Sequence, residues 1–322
     1  MNENFWKNRN VLVTGAGGFK GSHLVGRLAE SKANVISLIR DLDPRSYFET
    51  QGLGKKSIEV IGDLKDFRKM SDIMSKYSVN NIFHFGAQPI VTTALSNPKE
   101  TLESNIMGTV NILEASRLFS KAEGIVFVSS DKAYGPSKNL PYNEKERLEG
   151  KAPYDVSKSC ADLIAQMYSK VYGMPITITR CANVFGPGDL NMSRIVPSTI
   201  EAILQNKTLK IRSDGKMIRD YIYVDDAIDA YILLAENMDK TRGNVFNITG
   251  KKRLSVLEMV NEISGAAGIK VELEILNQAK AEIPEQYLDG SKIKNAFGWE
   301  ARRDFKSSIM ETLKWYEGFL RN

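Results

Sequence analysis

Two short stretches hold side chains that could do chemistry together. "PYDVSK" sets Tyr154 and Lys158 four residues apart at the start of a helix-like run. Residues i and i+4 lie on one helical face. A free tyrosine is a poor base at neutral pH, because its pKa is about 10. A nearby ammonium favours the phenolate and lowers that value. Such a pair can take a hydroxyl proton while hydride leaves the same carbon. The second stretch is "FVSSDKAYG", residues 127–135. An apolar run ends there in Ser129 and Ser130, and Asp131 and Lys132 follow. Ser130 can hydrogen-bond the reacting oxygen. Asp131 and Lys132 are either the acid and base of one site or a solvated ion pair at a strand exit, which is worth little.

Hydride transfer needs an acceptor, and "VLVTGAGGFKGSHL" supplies the signature of a dinucleotide loop. Gly15, Gly18 and Gly21 stand in a G-x-x-G-x-x-G pattern between a strand-like run and a helix-like one. One glycine makes the tight turn, one lets backbone approach a pyrophosphate, and one lets helix and strand pack closely. The helix N-terminus, beginning near Phe19, then offers free N–H groups to phosphate. A plain glycine-rich turn is the competing reading. Strand two would end in a carboxylate for NAD, but Ile39 is followed by Arg40 and Asp41. Arg40 either meets a 2′-phosphate, favouring NADP, or stacks on adenine and selects nothing. Asp41 is the alternative partner of the ribose, so NAD versus NADP stays open. Asp63 either accepts from the adenine amino group or closes a turn, and Leu64 and Ala87 complete the expected cofactor contacts. Lys20 either touches the cofactor or is solvated.

These groups need a scaffold, and the first half of the chain provides one. Short runs rich in Val, Ile and Phe lie at Val11–Thr14, Asn34–Ile39, Ile58–Ile61, Asn81–Phe85, Ile125–Ser129 and Ile176–Thr179. Near-continuous apolar runs of this length fit strands buried on both faces of a parallel sheet. Helix-like stretches at Gly21–Ser31, Phe67–Lys76, Thr101–Phe119 and Ser157–Tyr172 alternate with them. The pattern predicts an α/β fold, a doubly wound parallel Rossmann sheet. After Arg180 the spacing changes. "NVFGPGDLNMSRIVP" reads as a loop, Ser198–Gln205 as helix and Lys210–Ile211 as a short strand. "RDYIYVDDAIDAYILLAE" reads as a strand running into a helix, and "NVFNITG" as a strand returning to the sheet. The tail from Ser255 to Asn322 is mostly helical in pattern. The prediction is a dinucleotide domain over 1–180 and a smaller, partly interleaved α/β substrate domain over 181–322, with parts near 220–250 returning to the first.

Composition narrows the function classes. The 322 residues are 42% hydrophobic and 26% charged, with a net charge of +5, an ordinary globular balance. No Lys/Arg run marks nucleic-acid binding, although mild basicity suits an anionic substrate such as a nucleotide. Cys160, Cys181 and two histidines are too few and too scattered for a metal site. A reduced cytoplasmic protein is the expectation. "MNENFWKNRN" has no signal-peptide core, and no run approaches the roughly 18 apolar residues of a membrane helix.

The loop and the Ser–Tyr–Lys constellation resemble the extended short-chain dehydrogenase/reductase superfamily. Within it, "FWKNRNVLVTGAGGFKGSHL", "FHFGAQPIV", "NPKETLESNIMGTVNILEA", "SSDKAYG" and "EQYLDGSKIKNAFGW" are most similar to CDP-glucose 4,6-dehydratases and related nucleotide-sugar dehydratases. Ala16 and His23 stand where that branch usually has histidine and tryptophan, and "RDYIYVDDA" follows other dehydratases and epimerases. The resemblance implies a nucleoside-diphosphate hexose as substrate and a tightly held NAD, recycled in each turnover. It implies Tyr154 as base for the C4 hydroxyl, Lys158 as its tuner and Ser130 as the group orienting the C4 oxygen. Asp131 is implied as acid for the C6 hydroxyl, and Lys132 as the C5 base or an electrostatic support. Asn183, Arg194 and Arg219 are implied on the nucleotide side. Gln88 and Asn105 are placed at the cofactor or sugar pocket, with a helix-structural role the alternative for Asn105. A homodimer through the helices near 101–119 and 157–172 is also implied. A nucleotide-sugar 4-epimerase is the chief rival, and a non-catalytic dinucleotide-binding regulator ranks below it.

Overall fold

The apolar runs of the first half pair into one parallel sheet in a computed structural model that describes residues 1–137, 139–278 and 283–321. The strands are β1 (Asn10–Thr14), β2 (Asn34–Ile39), β3 (Ile58–Ile61), β4 (Asn81–His84), β5 (Gly124–Val128) and β6 (Ile176–Cys181). Their order is β3-β2-β1-β4-β5-β6, with Val245–Ile248 added at the far edge. The register sets Val11 beside Val35 on one side and Asn81 on the other. The strand order therefore reverses about β1, so a crevice opens at the carboxyl ends of β1 and β4. β5 is buried at every position, which is why its sequence lacks the alternation of a half-exposed strand.

Five helical pieces cross over the sheet: α1 (Phe19–Glu30), α2 (Phe67–Tyr77), α3 (Pro98–Leu102), α4 (Gly108–Phe119) and α5 (Pro153–Tyr172). Local chemistry fixes their ends. Asp66 caps α2 by accepting from the Lys69 N–H at 3.0 Å. Pro153 opens α5 at its first turn and Gly173, in the left-handed region, closes it. Ile112 and Leu113 of α4 and Ala161 and Ala165 of α5 pack on Ile82, Ile125 and Phe127 in one buried cluster. Each large aliphatic or aromatic group buried there contributes about 1.5–3 kcal/mol.

The structure corrects one helix. The stretch expected as continuous over Thr101–Phe119 is α3, then a π-helical turn over Glu103–Met107, then α4. Composition cannot reveal this widening, because each piece carries ordinary helix formers. It leaves Asn105 only 2% exposed. The Gly/Pro-rich run after Arg180 also hides a strand, Asn183–Phe185, which pairs in parallel with Ile218–Tyr223. Three residues are too few to show a period.

The chain divides into two units. The first comprises 1–135, 144–181 and 228–247, and the second 136–143, 182–227 and 248–322. The excursion at 136–143 adds an interleaving that the sequence pattern does not show. In the second unit, Ile218–Tyr223 is central to a small sheet with Lys252–Ser255, Glu285–Gln286 and Asn183–Phe185. Helices Ile195–Leu204, Val256–Ala267 and Phe305–Arg321 belong to this unit. Of the tail expected as mostly helical, residues 279–282 and 322 lie outside the described residues. No helix among the described residues is long and apolar enough to cross a membrane.

Candidate active site

The glycine loop after β1 is a cradle that side chains would fill. Gly15 has φ +68°, and its added Cβ would meet the Gly86 Cα at 3.0 Å. A Cβ on Gly21 would lie 2.2 Å from the Gly15 carbonyl oxygen. The Gly18 N–H donates to that oxygen at 3.0 Å, closing the turn. Gly18 then caps α1 without any side-chain hydrogen bond. The first N–H groups of a helix lack intrahelical acceptors, so those at Phe19, Lys20 and Gly21 are placed for an anion. These residues fit the pyrophosphate of a dinucleotide.

At the β2 exit, Arg40 and Asp41 pair with each other, Nε to Oδ2 at 2.6 Å. Asp63 accepts from the Lys65 N–H at 2.8 Å, the geometry of a turn aspartate. Leu64 is buried, and its carbonyl accepts from Asn111 Nδ2 at 2.9 Å. Ala87 sits between Gly86, whose N–H donates to Thr14 Oγ1 at 3.0 Å, and Gln88.

The chemistry-bearing groups gather beyond β5. A 3-10 turn, Asp131–Tyr134, follows the strand, with Ser130 as its cap. Ser130 Oγ accepts the Lys132 N–H at 3.2 Å and donates to Asp131 Oδ1 at 3.0 Å. Asp131 is only 2% exposed, unlike an acid that is solvated at a strand exit. The turn packs against α5, which carries Tyr154 in its first turn and Lys158 one turn later. The Lys158 ammonium donates to the Val128 carbonyl at 2.9 Å and lies 5.6 Å from the Phe127 ring centroid. Burial, reinforced by the positive charge of Lys20, brings the Lys158 pKa down to about 7, while Asp162 acts in the opposite direction. Lys158 therefore changes charge near neutrality. Lys20, 5.9 Å from the Phe85 ring, is electrostatically part of the site.

Beneath Tyr154 runs a buried hydrogen-bond chain. Ser157 Oγ donates to the Tyr154 carbonyl at 2.6 Å, and Asn105 Nδ2 donates to Ser157 Oγ at 2.9 Å. Asn105 Oδ1 accepts from the Gln88 N–H at 2.7 Å. Gln88 closes on Thr101 Oγ1 at 2.8 Å and on the Ile90 backbone. Both amide side chains are thus engaged within the protein, and the helix-structural alternative fits Asn105. His84, against Thr14 Oγ1 at 2.8 Å and Thr109 Oγ1 at 3.3 Å, is pushed by burial down to about 3 and stays neutral.

With these parts in view, the comparison with known proteins is specific. A family model described as GDP-mannose 4,6 dehydratase matches residues 12–312. The chain belongs to this family. One family relative is the CDP-glucose 4,6-dehydratase of Salmonella typhimurium, 28% identical over 339 residues, covering 100% of this chain and 94% of the relative. The solved UDP-glucose 4-epimerase of Thermotoga maritima, with UDP-glucose, is also 28% identical, with a TM-score of 0.87 and coverage of 97% and 99%. The dTDP-glucose 4,6-dehydratase of Bacillus anthracis, solved in complex with NAD, is 27% identical, with a TM-score of 0.85 and coverage of 96% and 97%. The chain spans about half the length, 48%, of a trifunctional UDP-glucose 4,6-dehydratase/UDP-4-keto-6-deoxy-D-glucose 3,5-epimerase/UDP-4-keto-L-rhamnose-reductase of Arabidopsis thaliana, 28% identical over 320 residues.

Several supporting residues of this family member escape sequence reasoning. Arg180 grips Asp162 of α5 through two bonds of 2.9 Å, both partners buried, and stands 4.7 Å over the Tyr134 ring. Tyr134 donates to Asn247 Oδ1 at 2.7 Å, and the Asn247 N–H donates to Glu144 Oε1 at 2.9 Å. This clamp ties the Asp131 turn to the Tyr154 helix. A single signal was available: an arginine at the end of an apolar strand needs a buried acid. The nucleotide-side candidates all lie in the second unit. Asn183 Nδ2 donates to the Asp220 carbonyl at 3.3 Å, Arg194 pairs with Asp189 at 2.9 Å, and Arg219 donates to the Ile218 carbonyl at 2.8 Å.

Proposed function

We propose that this family member is a nucleotide-sugar 4,6-dehydratase, with a CDP-hexose as the leading substrate. The observation that carries the reading is the buried Asp131, bonded to Ser130 and packed against the Tyr154–Lys158 helix. An epimerase uses Ser130, Tyr154 and Lys158 but has no need of a buried acid at Asp131. The glycine cradle fits a nicotinamide dinucleotide, held by Gly15, Gly18, Phe19 and Gly21. When bound there, the dinucleotide would supply the hydride acceptor for C4 oxidation and the hydride donor for reduction at C6.

Tyr154, as phenolate, takes the C4 hydroxyl proton while Ser130 hydrogen-bonds the same oxygen. Lys158 stabilises the phenolate when charged. The 4-keto group acidifies C5–H, and Lys132 either removes that proton or supports the enolate charge. Asp131, protonated, gives its proton to the C6 hydroxyl, which leaves as water. Asn183, Arg194 and Arg219 hold the nucleotide diphosphate, for which a guanidinium fork is suited. The same reading includes a homodimer through the helical stretches near 101–119 and 157–172.

Purified protein incubated with CDP-, GDP-, UDP- and dTDP-hexoses tests the reaction by mass. Loss of one water supports dehydration, whereas unchanged mass with inverted C4 would replace it with epimerisation. Asp131→Asn should still reduce the cofactor with substrate yet stall before water leaves. Dehydration at the normal rate by that variant would remove Asp131 from the mechanism.

A further inference from the structure

The Asp131 turn is fastened to α5 by a side chain outside the Ser–Tyr–Lys constellation. Ser159, next to Lys158 and buried, donates through Oγ to the Ala133 carbonyl at 2.7 Å. The Asp155 carbonyl, one helical turn back, is its other acceptor at 3.0 Å. A hydroxyl has one proton to give, and the shorter bond is the one that leaves the helix. The same oxygen accepts from the Gly150 N–H at 3.1 Å. Two glycines make room for this joint. A Cβ on Gly150 would lie 2.7 Å from Ser159 Oγ and 2.5 Å from the Asp155 carbonyl oxygen. Gly135 has φ +67°, and a Cβ there would lie 2.1 Å from the Glu149 carbonyl oxygen. The Glu149 N–H in turn donates to the Tyr134 carbonyl at 3.2 Å. Consecutive carbonyls of the turn, at Ala133 and Tyr134, are thus held from outside it.

We propose that Ser159 is a positioning residue, which fixes the Asp131–Lys132 turn relative to Tyr154 and Lys158 and so sets the second chemical step in register with the first. The proposal rests on the dehydratase reading above and deepens it. In that reading C4 oxidation uses Tyr154 and Lys158, both on α5, with Ser130 at the end of β5. Water loss uses Asp131 and Lys132, which belong to the 3-10 turn. The Ser159 joint lies between the two sets. Its loss leaves the residues on α5 where they are and frees the turn. Tyr134 is a second fastening of that turn, with its ring 4.7 Å from the Arg180 guanidinium and its hydroxyl on Asn247 at 2.7 Å. Removing one fastening therefore loosens the turn without releasing it.

The test follows the two half-reactions separately in the full chain, loaded with nicotinamide dinucleotide and mixed rapidly with CDP-glucose. Absorbance of the reduced nicotinamide reports C4 oxidation, and product mass reports water loss. Ser159→Ala should reduce the cofactor at close to the wild-type rate. It should lose water roughly tenfold more slowly, the order expected for one lost hydrogen bond that acts on positioning, so reduced cofactor accumulates. Tyr134→Phe should give the same split, and Ser159→Thr, which keeps the hydroxyl, should restore water loss. Without any substrate, backbone amides across 131–135 should exchange hydrogen faster in Ser159→Ala than in wild type. Equal slowing of both half-reactions, water loss at the normal rate, a Ser159→Thr variant as slow as Ser159→Ala, or unchanged exchange over 131–135 would overturn the proposal. Wild-type protein that loses no water in the mass assay overturns the dehydratase reading instead, and the exchange measurement still decides whether Ser159 holds the turn.

Discussion

Lys158 carries its charge where the fold penalises it. The side chain is 6% exposed, and the pKa falls from an ordinary 10.5 to about 7. In the cofactor-free protein the unfolded chain therefore binds more protons than the folded one between about pH 7 and 10.5. Stability from this residue rises with pH across that window and is lost as pH falls through 7. Lys158→Met should accordingly be more stable than wild type at pH 6, with the advantage shrinking toward pH 10. Urea-denaturation midpoints across that range check it, and a pH-independent difference would contradict the burial argument. At this scale spacing alone predicts that Tyr154 and Lys158 share one helix, and both lie on Pro153–Tyr172. The sequence was silent on Arg180, Asp162 and Asn247, because those partners meet only through the fold.

Among the elements, the glycine loop was fully legible, since its three glycines each answer a steric demand. Gly21 is the strictest, because any side chain there would strike the Gly15 carbonyl. Gly21→Ala should cost about 1–3 kcal/mol of stability, as overpacking does, and should abolish measurable dinucleotide binding by calorimetry. Unchanged NAD affinity would show that the α1 terminus is not the phosphate site. The strands β2 and β3 match their sequence-predicted limits, whereas the π-turn between α3 and α4 went unseen. A widened turn needs only one extra residue, and Asn105 within it bonds to Gln88 and Ser157, partners distant in sequence. Such turns are frequent at functional sites, and this one supports the backbone of Tyr154.

For the whole molecule, α4 and α5 leave an apolar surface to be accounted for. Leu163, Met167 and Val171, spaced four apart on α5, are 53%, 40% and 65% exposed, and Met107 of the π-turn and Leu118 and Phe119 of α4 are exposed as well. A stripe of this kind is what the proposed dimer would cover. The proposed homodimer should sediment as such at micromolar concentration, and Leu163→Lys with Val171→Lys should yield monomers of unchanged helix content. A wild-type monomer would remove the dimer from the reading. The path of the chain at 136–143 was not legible, since its Pro, Asn and Ser residues mark a loop without showing which unit the loop joins. The Tyr134 clamp has a consequence for how the molecule comes to work at all. Its members are drawn from residues 134, 144, 162, 180 and 247, with 113 positions between Tyr134 and Asn247. Contacts of such separation form only after large loops have closed. The glycine loop takes its partners from residues no further along the chain than Gly86, whereas the Tyr134 clamp is complete only once the distant strand at Val245–Ile248 has joined. Under the proposed function, the dinucleotide cradle and the clamp that braces the Asp131 turn are therefore completed at different stages in the life of a newly made chain, and the second waits for its last third.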